Sequence, residues 1–147
     1  MGEEKPIVIT QDVNITMAFA CENFSQDPQR RLYFHTVMDQ INAFSFPATT
    51  PSFFAVFGFQ RQFSGFLMQC VVDIVPENGD PINVQPVPDV VFKPDDFNAK
   101  SVVGFGNTQW PKAGNYSVRF LSRGKVIASF ILRLAQIPLP GSAASAT

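Results

Sequence analysis

The sequence is poor in the side chains that chemistry usually needs: one histidine, two cysteines, one tryptophan and two tyrosines in 147 residues. With no Cys-X-X-Cys pair, a zinc site would require Cys21, Cys70 and His35 to converge from three separate stretches, and no metal is expected. No Gly-X-Ser-X-Gly marks a nucleophile elbow. Ser25 or Cys21 beside His35 is the one nucleophile and base pairing to weigh, and His35 reads more simply as a half-exposed strand residue. Charge is scarce and balanced, 11 basic against 12 acidic residues for a net −1. That balance supplies no field to gather nucleic acid or an anionic membrane. No run approaches the roughly 18 apolar residues of a membrane-spanning helix. The first six residues carry two acids and lack the basic and long apolar regions of a signal peptide. A cytoplasmic location is the expectation, with both thiols reduced and buried as small hydrophobes. No cofactor is expected.

What the chain does have is phenylalanine, 16 in all, within a composition that is 46% hydrophobic and 16% charged. A chain of this length can bury about 68–70% of its unfolded surface in one domain without a staple. The organising stretch is Lys100 to Leu134, read as three consecutive antiparallel strands joined by residues 110–115 and 122–125. Tyr116, Val118 and Phe120 alternate with Ser117 and Arg119 at the two-residue period of a half-buried strand. Val126, Ala128, Phe130, Leu132 and Leu134 continue that logic beyond an Arg123-Gly124 turn.

Upstream, residues 1–12 read as a flexible leader. Val13–Cys21 is a strand with Val13, Ile15, Met17, Phe19 and Cys21 on the core face. Residues 22–28 read as a loop, and Arg31–Ile41 as a further strand whose end from Thr36 could instead be a helical turn. Two prolines make residues 44–51 a crossing loop. The runs 52–62 and 66–75, apolar on both sides as inner strands are, read as a hairpin. Residues 76–81 form a proline-bracketed turn around Asn78-Gly79. Pro86 and Pro88 demote the segment 82–92 to an edge strand or covering loop, and residues 93–97 are a second loop. The segment 137–147 is rich in Pro, Gly, Ala and Ser and reads as a disordered tail.

Short strands with frequent turn signals predict an all-β, single-domain antiparallel β-sandwich of seven to eight strands over residues 13–136, immunoglobulin-like or C2-like, with an open β-barrel as the alternative. A calcium-binding, C2-like set of loops would need Asp89, Asp95 and Asp96 at one end, which requires the proline-rich segment to fold back, while Glu77 and Asp80 lie at the other end of an extended segment; these acids read more simply as solvated turn residues. Gly114-Asn115-Tyr116 resembles the corner before a late strand of immunoglobulin-like sandwiches, where the tyrosine hydroxyl ties back to nearby backbone. Val118 stands where antibody-type domains have cysteine, and Trp110 does not lie between the two cysteines. Taken with Ala20-Cys21-Glu22, the Pro111-X-X-Gly114-X-Tyr116 corner and the Arg123-Gly124 turn, the chain from Val13 to Leu134 resembles an uncharacterised bacterial family of small cytosolic β-sandwich proteins. The resemblance implies a fold and supplies no catalytic residue.

Half of the phenylalanines, Phe44, Phe46, Phe53, Phe54, Phe57, Phe59, Phe63 and Phe66, fall between positions 44 and 66. A strand apolar on both faces needs cover on its second face from a loop or another subunit. The expectation is therefore a non-enzymatic protein-interaction or assembly module that self-associates through the Phe-rich hairpin, with Phe54, Val56, Leu67 and Val71 at the contact. The alternative is a sandwich that binds a small apolar ligand, a lipid or a carbohydrate, its cavity lined by Phe44, Phe46, Phe57 and Phe59 with Trp110 at the mouth. Carbohydrate platforms favour exposed Trp and Tyr, and with Trp110 the only tryptophan the carbohydrate reading is the weaker.

Overall fold

The computed structural model describes residues 13–61, 66–92 and 98–139. Among them every regular element is a strand: β1 Val13–Gln26, β2 Leu32–Met38, β3 Gln40–Ala43, β4 Ala48–Thr50, β5 Phe53–Arg61, β6 Phe66–Leu67, β7 Cys70–Pro76, β8 Asn83–Val87, β9 Val90–Val91, β10 Asn98–Phe105, β11 Thr108–Trp110, β12 Gly114–Ser122 and β13 Lys125–Gln136. No helix among the described residues is long and apolar enough to cross a membrane. The strands form a first sheet in the order β10-β5-β1-β2, a second in the order β3-β13-β12-β7-β8, and two short ribbons, β11-β4 and β6-β9. Pairing is antiparallel except between β3 and β13.

Alternation places the core between the two large sheets. From the first come Ala20 of β1, Phe53, Ala55, Phe57 and Phe59 of β5, and Val103 and Phe105 of β10; from the second come Val72 and Ile74, then Tyr116, Val118 and Phe120, then Leu132 and Leu134. Phe120 is the keystone, edge-on to Phe57 at 5.4 Å and to Phe59 at 4.9 Å between ring centroids. Burying each such ring is worth about 1.5–3 kcal/mol, with a further increment from the edge-to-face geometry.

The β12–β13 hairpin follows the sequence reading. Arg123 and Gly124 take φ of 55° and 80°, and with Ser122 paired to Lys125 they form a two-residue turn whose left-handed backbone suits strand twist. The turn between β7 and β8 falls at residues 77–82, and β8, carrying Pro86, is an edge strand of the second sheet.

Other expectations are corrected. The stretch from Lys100 is not a three-stranded meander, because β10 pairs with β5 in the first sheet, and Trp110 belongs to strand β11, paired with β4 inside the segment read as a crossing loop. Strands β5 and β7 do not form a hairpin; they lie in different sheets. A run apolar on both sides advertises burial without naming its neighbour. In β1 a bulge between Ile15 and Met17 resets the alternation, so Ala18 and Ala20, rather than Phe19 and Cys21, face the core. Residues 22–26 continue β1 instead of looping, and Gln40–Ala43 is a strand rather than a helical turn. The segments 1–12, 62–65 with Phe63 and the connection expected there, 93–97 with Asp95 and Asp96, and 140–147 lie outside the described residues.

Tyr116 supplies the corner that its sequence context predicts. Its hydroxyl donates to the Lys112 carbonyl at 2.6 Å, its ring stands edge-on to Trp110 at 5.0 Å, and Trp110 Nε1 donates to Thr50 Oγ1 at 2.9 Å. This chain of contacts fastens the β11-β4 ribbon to the second sheet. Tyr116→Phe is expected to lower stability by about 1–2 kcal/mol, the cost of a lost hydrogen bond at a largely buried group, seen as a lower urea midpoint at constant m-value; an unchanged midpoint would show that the corner does not hold the ribbon.

Candidate interaction surface

The face of the first sheet that points away from the core is also apolar, and its make-up follows from register. Directly paired residues share a face, so Gly104, Phe54, Cys21 and Val37 form one row, Val102, Val56 and Phe19 a second, and Lys100, Gly58 and Met17 a third. A polar row, Asn98, Gln60 and Asn14, closes one end. Lys100 is the one charged side chain in these rows. Gly58 is needed where Met17 crosses β5: a Cβ there would meet Met17 Cγ and Thr16 Oγ1 at 2.6 Å.

Past Cys21 the β1–β2 hairpin brings more aromatic surface onto this face. Thr36 adopts φ 58°, strict alternation is interrupted, and Phe24 and Phe34 come against the face as edge-on partners of Phe54 and Phe19, with centroids 5.0 and 5.2 Å apart. Val56 and Cys21 are fully buried beneath these rings, the four rings themselves are half-buried, and Val37 at the rim is 61% exposed. The corresponding face of the second sheet is different in kind. There the Arg119 guanidinium forks onto both Asp73 oxygens at 2.9 and 2.7 Å, among Val84 and Ile131, which are both more than half exposed.

The hairpin tip is held by Asp27. Its carboxylate accepts from the backbone N–H groups of Gln29 and Arg31 and from Arg31 Nε and the Tyr33 hydroxyl, at 2.7 to 3.2 Å. Loss of solvent acts to raise the Asp27 pKa, and the bonds from Arg31, Tyr33 and Gln29 outweigh it and hold the carboxyl below its ordinary range.

The structure separates the residues expected at a contact. Phe54 and Val56 lie on the outer face of the first sheet, Val56 fully covered; Leu67 is buried in the core; Val71 lies on the outer face of the second sheet. The five residues expected to line a cavity are likewise dispersed. Phe57 and Phe59 pack against Phe120, Phe46 packs partly buried on the core, Trp110 is fully buried rather than at a mouth, and Phe44 is 46% exposed. A cleft of about 360 Å³ does exist, at the edge between the sheets, lined by Glu22, Met38, Ile41, Thr50, Pro51, Ser52 and Phe53. Its walls come from five strands, so no local pattern in the sequence announces it.

Ser25 Oγ and His35 Nε2 are 3.0 Å apart, on neighbouring exposed positions of β1 and β2. Among the described residues no carboxylate hydrogen-bonds the imidazole, so the third group that would orient a base is not in place. Cys21 and Cys70 are free and buried. Burial pushes both thiols up, against a backbone hydrogen bond at Asn23 for the first; for the second, the Asp89 charge adds to the rise and bonds at Val90 and Ser122 oppose it. Such thiols are poor nucleophiles. Asp89 accepts from the Gln69 N–H, and among the described residues no three His, Cys, Asp or Glu side chains are grouped to hold a metal.

Residues 16–135 match a family described as "Family of unknown function (DUF6941)". No curated protein matches the chain.

The Asp27 geometry makes a pH prediction. A carboxyl whose folded pKa lies below its unfolded value of about 3.9 contributes stability that is fully present above that value and is lost as pH falls through the folded pKa. Carbon-detected titration of the Asp27 carboxyl is expected to show a midpoint below that of a free aspartate, and Asp27→Asn is expected to flatten the acid limb of the stability curve. A midpoint at or above the ordinary value would contradict the assignment.

Proposed function

The chain belongs to the DUF6941 family of unknown function, and from its own surface we propose that it is a non-enzymatic protein-association module that pairs with a second copy of itself through the outer face of the first sheet. One observation carries this reading: β5 is apolar on both faces, and its second face is extended by Phe19, Phe24, Phe34, Val37 and Val102 into a patch with a polar row at one end. Apolar centre and polar rim are the anatomy of a protein contact. A two-fold contact must be self-complementary, and a patch whose rows hold one charged side chain meets its copy with little like-charge repulsion. The near-zero net charge of the chain works in the same direction.

In this reading the two large sheets are an immunoglobulin-like β-sandwich. The Tyr116 corner supports it, as do the separate strand orders of the two sheets. A cytoplasmic setting belongs to the same proposal and is supported by the two free thiols. The contact expected at a Phe-rich hairpin moves to β5 together with β1 and β2. A second reading, small-ligand binding, rests on the cleft beside Glu22, whose lining includes none of Phe44, Phe46, Phe57 and Phe59.

Native mass spectrometry tests the association. A dimer is expected, and Val37→Asp, placed on an exposed rim, is expected to give a monomer with its thermal midpoint preserved to within about 4 °C, the shift that roughly 1 kcal/mol would produce in a domain near this size. Ile131→Asp, on the opposite side of the molecule, is expected to remain dimeric. A wild-type monomer at every concentration, or a dimer indifferent to Val37→Asp, would refute the proposal.

A further inference from the structure

We infer that the cleft beside Glu22 is a binding site for a small organic cation, an ammonium or guanidinium group carried on a short apolar body. The site lies where the chain changes sheets. Strand β2 ends at Met38 in the first sheet, Ile41 follows in β3 of the second, and the chain returns through Thr50 of β4 and Ser52 to Phe53 of β5. Because two sheets diverge there, the core is open at its edge, and the cleft of about 360 Å³ falls in the range of small-ligand sites, about 300–1,000 Å³.

Chemistry on the walls selects the ligand. Met38, Ile41 and Phe53 give an apolar bed. Glu22, two residues beyond the core residue Ala20 in β1, is the one charged group in the lining, and among the described residues no cation or hydrogen-bond donor is paired with its carboxylate. Thr50 Oγ1 is engaged as the acceptor of Trp110 Nε1, and the exposed Ser52 hydroxyl in the lining adds a neutral oxygen able to accept from a cationic donor. An anion would meet Glu22 as a like charge. A neutral apolar molecule would leave that carboxylate without a partner. A cation with an apolar body satisfies both walls, through a charge-assisted hydrogen bond at one end and burial at the other.

The test uses the full chain with methyl-labelled methionine and three probes of one shape: benzylamine, benzyl alcohol and benzoate. Benzylamine is expected to shift the Met38 methyl saturably while Met17, on the opposite face of the sheet, stays fixed. Benzyl alcohol and Glu22→Gln are each expected to weaken binding by about tenfold, the worth of one hydrogen bond to a charged group, and benzoate is expected to leave Met38 unshifted. Glu22 is exposed, so the Gln variant keeps the fold, which the Met17 methyl reports. Equal binding of the alcohol and the amine, full affinity in Glu22→Gln, or no saturable shift with any probe would overturn the inference.

Discussion

Strand β5 has no polar side over most of its length, and the rest of the architecture is arranged to accommodate that. Phe53, Ala55, Phe57 and Phe59 point into the core and Phe54 and Val56 point away from it, so both faces of the first sheet must lose water. The inner face is satisfied by the second sheet, chiefly through Phe120. The outer face is satisfied in part by the protein's own means: Met17 laid across Gly58, Phe19 paired with Val56, and a long β1–β2 hairpin that carries Phe24 and Phe34 against Phe54 and Phe19. At about 1.5–3 kcal/mol for each large side chain fully buried, the incomplete cover of four phenylalanines is a substantial unrealised gain. A second copy is the partner that would realise it.

Two short ribbons accompany the large sheets, and one of them borders the cleft proposed as a cation site. Strands β4 and β11 pair over three residues, too few to be stable alone, and they are held by the Trp110 hydrogen bond to Thr50 and the edge-on contact of its ring with Tyr116. That same Thr50 lines the cleft at Glu22. The clip that completes the fold at this end and the wall of the proposed cation site are thus one piece of structure.

Features fixed by a few neighbouring residues were legible in the sequence. The alternation of β12, the left-handed pair Arg123-Gly124, the turn before β8, the edge placement forced by Pro86 and the hydroxyl tie of Tyr116 all follow from local chemistry. What escaped was partnership. The runs around β5 and β7 are each apolar on both sides, and nothing in such a run says which strand lies beside it. Val56 and Leu67 therefore read as contact residues although one lies under its own neighbours and the other in the core. A one-residue bulge in β1 exchanged the faces of Phe19 and Ala20, and the sequence around Ile15 to Met17 gives no turn residue to mark it. The cleft residues, gathered from positions 22 to 53, become neighbours only once β2 and β3 are known to lie in different sheets.

The central claim is that the outer face of the first sheet is covered by a second copy in solution. Hydroxyl-radical footprinting at low and high protein concentration reads this directly, because phenylalanine oxidation reports solvent contact residue by residue. The account predicts that labelling of Phe19, Phe34 and Phe54 falls as concentration rises while Val84 and Ile131, on the far sheet, stay constant. Labelling of those three phenylalanines that is independent of concentration and undiminished at the highest would contradict it.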